Sequence, residues 1–179
     1  MPKKEVNWVV GGVALVLTLI VLFSGQFLWN KYAVTNPISK MFQNVNGVES
    51  VTVGQQSNNN EKIKIYVKLN HVSNLQTLYS EIVDGLKQMD NGKKYDIVIQ
   101  DNRTPELEEF YYQIQYYIQE AIFTGNFASM AESVGIKANN DGVTEKIYID
   151  ADNIYLQLVK GNAAMYMIIP RNNNGQGGK

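Results

Sequence analysis

The first pattern along the chain is a stretch without charge. No Asp, Glu, Lys, Arg or His occurs between Glu5 and Lys31, and the run from Val9 to Trp29 is apolar almost throughout. A helix rises about 1.5 Å per residue, so some twenty such residues match the roughly 30 Å hydrocarbon core of a bilayer. Trp8 and Trp29 stand at the two ends, with Tyr32 just beyond, and indole rings favour the headgroup boundary. The pattern predicts a transmembrane helix with the lipid bilayer as its partner over residues 9–29. A buried soluble helix is seldom apolar all round for this length. A cleaved signal peptide has a shorter apolar core and a small-x-small exit. Here Leu22 and Phe23 precede Ser24 and Gly25 at the relevant positions, and Lys31 precedes Ala33. An uncleaved signal anchor is the expectation. Lys3 and Lys4 lie on one side of it and Lys31 alone close to the other. That bias predicts a cytoplasmic N-terminus and an extracytoplasmic domain in the cell envelope. The run carries no GxxxG motif and no ionisable residue, so neither dimerisation nor ion transport through it is signalled.

Beyond the anchor the periodicity alternates between 3.6 and 2. Ile38, Met41, Phe42 and Val45 have helical spacing, with Pro37 in the first turn, and Asn46-Gly47 ends the helix. Val48–Val53 alternates as a strand. After a polar loop from Gly54 to Asn60, Lys62–Leu69 alternates more clearly: Ile63, Ile65, Val67 and Leu69 face one way, Lys62, Lys64, Tyr66 and Lys68 the other. The two strands read as an antiparallel hairpin with one buried face. Ser73 is read as the N-cap of a helix whose stripe is Leu75, Leu78, Tyr79, Ile82, Leu86 and Met89. Asp90-Asn91-Gly92 ends it, and Tyr95–Gln100 is a third strand.

A second helix opens at Thr104, with Pro105 in its first turn and Glu106, Glu108 and Glu109 following. Its stripe is Leu107, Phe110, Tyr111, Ile114, Tyr117, Ile118 and Ala121, with a break at Thr124-Gly125-Asn126 and helical pattern continuing to about Val134. Past Asn139–Gly142, the segments Glu145–Asp150, Ile154–Lys160 and Ala163–Ile169 read as a meander. The domain organisation expected is 1–30 for N-terminus and anchor, 31–171 for the α+β domain and 172–179 for a disordered tail. Within the domain lie an αββαβ part (37–101), an aromatic helix (104–136) and a β-meander (143–170). The fold class expected is α+β, an antiparallel or mixed sheet with helices mainly on one face.

Over Pro37–Gln100 the order helix–strand–strand–helix–strand, with Gly47–Val53 followed by Ile63-Lys64-Ile65, resembles small αββαβ modules of bitopic bacterial envelope proteins. These include ring-building motifs of secretion and sporulation channels, BON domains and heavy-metal-associated domains. The last lack support here, because their Cys-x-x-Cys loop is absent. The resemblance implies a membrane-anchored interaction module.

Charge and composition add exclusions. Setting aside Lys3, Lys4 and Glu5 leaves 14 basic and 16 acidic residues, a balance of −2. No field strong enough to draw nucleic acid follows, and none is expected as a partner. The absence of cysteine excludes disulfides, thiolate metal sites and a cysteine nucleophile. His71 is the only histidine, too few partners for a metal site or a Ser–His pair; it reads as a loop residue. Glu106, Glu108 and Glu109 are explained by their place in a first helical turn, and Asp150-Ala151-Asp152-Asn153 by a hairpin turn without the Gly and Glu of a calcium loop. No catalytic, cofactor or metal site is expected.

Two surfaces stand out. The strand face Lys62, Lys64, Tyr66, Lys68, set beside Tyr148, Tyr155 and Tyr166, suits an anionic partner; a solvated sheet face is the plainer reading. The aromatic set Phe110, Tyr111, Tyr112, Tyr116, Tyr117, Phe123 and Phe127 is too wide for one buried stripe. Tyr112 and Tyr116 therefore mark a candidate interaction surface. The reading is non-enzymatic: a domain that associates with a protein partner or with itself. An aromatic-lined ligand pocket between the long helix and the sheet is the alternative.

Overall fold

The computed structural model describes residues 8–30, 38, 41–42, 45–54, 62–89 and 94–171. The elements are α1 (Trp8–Asn30), β1 (Val48–Val53), β2 (Ile63–Leu69), α2 (Leu75–Gln88), β3 (Tyr95–Gln100), α3 (Pro105–Thr124), α4 (Phe127–Asp141), β4 (Thr144–Ile149), β5 (Asn153–Lys160) and β6 (Ala163–Pro170). The loop expected over 54–60 and the tail over 172–179 fall largely or wholly outside the described residues. So does most of the helix expected over 36–45. Its Ile38 and Phe42 are described and fully buried.

The anchor is corrected. Among the described residues no helix is long and apolar enough to cross a membrane. In α1 the side chains are described at Trp8 and over residues 12–25. The transmembrane part of the expected fold therefore falls. The described side chains of α1 are exposed all the same, among them Leu15, Leu17, Ile20, Leu22 and Phe23.

A second correction concerns the sheet. There are two three-stranded sheets among the described residues, ordered β1-β2-β3 and β4-β5-β6. In the first, β1 and β2 are antiparallel and β3 joins β2 in parallel, with Ile65 opposite Ile97. The second is an antiparallel meander with Tyr155 between Tyr148 and Ile168. Helices do not keep to one face. The inner face of β2 (Ile63, Ile65, Val67, Leu69) joins Leu75, Leu78, Ile82 and Leu86 of α2 and Tyr155, Ala164 and Tyr166 of the meander in one core. The opposite face of the meander (Ile154, Leu156, Leu158, Met165) is covered by Leu107, Phe110, Ile114 and Ile118 of α3 and Met130 and Val134 of α4. Hence β5 is buried on both faces, which alternation alone does not reveal.

The helix ends follow their local chemistry. The N-cap of α2 is Asn74, whose Oδ1 accepts from Thr77 N–H at 3.0 Å, one residue later than the Ser73 expected. Thr104 caps α3 with Pro105 at its start, as read. Gly125 (φ 77°) ends α3 in the left-handed conformation, so the break at Thr124-Gly125-Asn126 divides the 104–136 segment into two helices. The second runs to Asp141, past the expected end near Val134–Ile136, and Gly142 closes it at φ 65°.

The αββαβ part and the meander are clamped at two places. The link from β2 to α2 passes through His71, whose φ of 52° is left-handed. Here the side chain of Gln157 accepts from Leu75 N–H at 2.8 Å and donates to Val72 C=O at 2.9 Å. Val72 N–H donates to the Tyr166 hydroxyl at 3.3 Å, and Lys146 donates to Ser73 C=O at 3.1 Å. At the other place Asp101 and Asn102 run along the free edge of β6. Tyr166 N–H donates to Asp101 Oδ2 at 2.8 Å and Ala164 N–H to Asn102 Oδ1 at 3.0 Å. Asp101 is fixed in turn by a two-pronged bond from Arg103 at 2.7 and 2.8 Å.

Gly47 is needed where it sits. Its φ is 96°, and a Cβ there would lie 2.9 Å from Leu78 Cδ1. Gly47→Ala is expected to cost about 1–3 kcal/mol, from the left-handed backbone and the crowding together. Chemical unfolding monitored by hydrogen exchange of α2 and β2 measures it; an unchanged midpoint would contradict the argument.

Candidate interaction surfaces

α3 carries an exposed aromatic and acidic set opposite its buried side chains. Leu107, Phe110, Ile114, Ile118 and Ala121 face the meander and are buried. Counting 100° per residue, Glu109, Tyr112, Tyr116, Glu120 and Phe123 fall within about 80° of arc on the far side. Tyr112 is 57% exposed, Tyr116 63% and Phe123 78%. Tyr117, expected in the buried stripe, is 39% exposed and belongs to the margin of this outer face. The rings of Tyr112 and Tyr116 meet edge to face at 6.2 Å between centroids, one helical turn apart. The neighbouring side chain of Tyr112 is the main cause holding the Tyr116 pKa above its ordinary value. Burial raises Tyr111, at the other margin. No Lys or Arg occurs in α3, while Glu106, Glu108, Glu109 and Glu120 do. Glu106 reaches Lys160 of β5 at 2.6 Å.

The strand face of Lys62, Lys64, Tyr66 and Lys68 is present, but without the tyrosines expected beside it. Lys62, Lys64 and Lys68 are exposed and Tyr66 is half-buried. Tyr155 and Tyr166 belong to the core on the other side of β2, and Tyr148 reaches towards Ser73 C=O at 3.5 Å. The face is also less basic than its sequence suggests. Lys68 bonds Glu49 at 2.7 Å, and Lys64 stands in register with Asp96. Parallel pairing with β3 was not readable from the strand itself, so Asp96 was missed.

The acidic turn at 150–153 is a closed unit. Asp150 Oδ1 accepts from the N–H groups of Asp152 at 2.8 Å and Asn153 at 2.7 Å, and Oδ2 accepts from the Tyr155 hydroxyl at 2.7 Å. Arg171 donates to the Asp150 carbonyl and lies 4.5 Å over the Phe127 ring. Burial alone would raise the Asp150 pKa, but these hydrogen bonds and one from Gln76 outweigh it and hold the group below the usual carboxylate range. Burial and then the bond to Asp150 push Tyr155 up to about 12. A raised phenol pKa means stability that is whole below the ordinary value near 10 and lost as pH rises towards about 12. In an alkaline titration followed by phenolate absorbance, Tyr155 should be among the last tyrosines to ionise, together with unfolding. Tyr155→Phe should remove that step; its persistence in the variant would refute the assignment.

Among the described residues no three of His, Cys, Asp and Glu come together to hold a metal ion. His71 is exposed in its loop. The space between α3, α4 and the meander is filled by side chains, several of them wholly buried. A cleft of about 540 Å³ lies elsewhere, between Tyr79, Val83 and Leu86 of α2 and Tyr95–Ile97 of β3, with Lys62 and Lys87 on its rim. Compared with protein-family models, with curated proteins and with solved structures, the chain matches none.

Proposed function

We propose that this protein is a non-enzymatic association protein whose α+β domain binds another protein through the outer face of α3. One observation carries the reading: a helix packed completely on one side presents two tyrosines and a phenylalanine to solvent on the other. Exposed aromatic residues held rigid by a packed helix bring contact area at low entropic cost, which is the composition of binding hot spots. The filled space beneath α3 speaks for a surface rather than a ligand cavity in this region.

The test is photo-crosslinking from Tyr112 or Tyr116 of the full chain in cells, with Lys87 of α2 as an exposed control position. A discrete adduct from the two α3 positions, absent from the control, is expected, and Tyr112→Asp with Tyr116→Asp should abolish association. Equal labelling at all three positions, or none, would overturn the reading.

A further inference from the structure

The association surface selects its partner by charge. Paired with its own counterpart, the α3 stripe brings acids against acids: Glu109 meets Glu120 if the helices run antiparallel, and each meets itself if parallel. Like charges in register oppose such a pair. The stripe therefore suits a surface with cations at its ends and an aromatic ring between them. Along α3, Glu109 and Glu120 are about 16 Å apart at 1.5 Å per residue, with Tyr112 and Tyr116 between. Along β2, Lys64 and Lys68 are about 14 Å apart at 3.4 Å per residue, with Tyr66 between. The described outer face of β2 thus offers the same order at nearly the same spacing with the charge reversed.

Within one chain the two surfaces do not meet: Glu109 and Glu120, like Lys64 and the rings of Tyr112 and Tyr116, are exposed. Lys68 is paired with Glu49, and the pair is about half exposed. Exposed pairs of this kind are weak and exchange readily. Glu49 beside Lys68 and Asp96 beside Lys64 are the residues of this face that oppose an acidic partner.

We infer that the partner of the α3 stripe is a second copy of this chain, docking through Lys64, Tyr66 and Lys68 of β2. The inference rests on the reading of α3 as an association surface. Because the chain has no cysteine, single introduced cysteines report without background. Full chain carrying Lys64→Cys is mixed in mild detergent with full chain carrying Tyr116→Cys and oxidised. The mixture should yield about tenfold more covalent dimer than either variant alone, the ratio expected when attractive pairs replace like charges. Glu109→Lys with Glu120→Lys in the Tyr116→Cys copy should remove that excess, and Lys62→Glu with Lys68→Glu in the other copy should restore it. Far-ultraviolet circular dichroism confirms that each variant folds. If Tyr116→Cys crosslinks best with itself, association through α3 stands and this inference fails. If no cysteine pair crosslinks but photo-crosslinking from Tyr116 captures a different protein, the inference fails and the association reading again stands. If neither method gives an adduct, both fail.

Discussion

Gln157→Leu should destabilise the protein by about 2–5 kcal/mol, although it places an apolar residue in an apolar core. Gln157 is 2% exposed and sits on β5, facing α2. Its amide closes two backbone groups at once, Leu75 N–H and Val72 C=O. The first is one of the N–H groups that a helix start leaves without an internal partner. Leucine satisfies neither. Each buried backbone group left without a partner costs about 1–3 kcal/mol, against a smaller gain from the added apolar surface. Gln157→Glu distinguishes this account from simple packing. An ionised carboxylate can accept from Leu75 N–H but faces the Val72 carbonyl with a charge, so the variant should be weaker than the parent at neutral pH. Protonation supplies a donor again, so the deficit should shrink as pH falls through the raised pKa of the introduced carboxyl. Denaturant midpoints of parent and both variants at neutral and mildly acidic pH provide the comparison. A Gln157→Leu midpoint equal to that of the parent would show that the two bonds contribute nothing.

That residue also marks where the sequence was legible and where it was not. Strands β1, β2 and β3, the buried face of β2, the Thr104-Pro105 start of α3 and the hairpins of the meander could all be read from alternation, caps and turns. Such signals are local and survive in a single sequence. What escaped depends on pairing across distance. Nothing in Tyr95–Gln100 says that it joins β2 in parallel and brings Asp96 beside Lys64. Nothing in Asn153–Lys160 distinguishes a strand covered on both faces from one with a solvated side, since Gln157 and Tyr155 look like outward polar positions. Tyr155 and Tyr166 were accordingly placed beside the lysines when they belong to the core behind them. The outer positions of α3, by contrast, could be recognised from helical geometry, because its six aromatic residues cannot share one buried stripe. The apolar run at the N-terminus was read by composition alone, and among the described residues no helix is long and apolar enough to cross a membrane.

The second large effect concerns the strand shared by the two cores. Leu156→Ala is expected to cost about 3–5 kcal/mol. Leu156 is fully buried and faces α3 and α4, in the central strand of the meander. Truncating a leucine in such a place removes its transfer free energy and leaves a cavity that β4 and β6, bonded on either side, cannot collapse into. Its neighbour Tyr155 points into the other core, against Tyr79 of α2 at 5.9 Å between rings. One strand thus belongs to both cores, and its displacement exposes both. Sequence separation alone would suggest that the αββαβ part outlasts the meander. The shared strand and the Gln157 and Asp101 clamps argue that it does not. Hydrogen exchange on full-length Leu156→Ala should show protection falling in β2 and α2 by the same free energy as in α3 and α4, although Leu156 belongs to the core on the other face of the meander. Loss of protection confined to α3, α4 and the meander would mean that the two cores unfold separately.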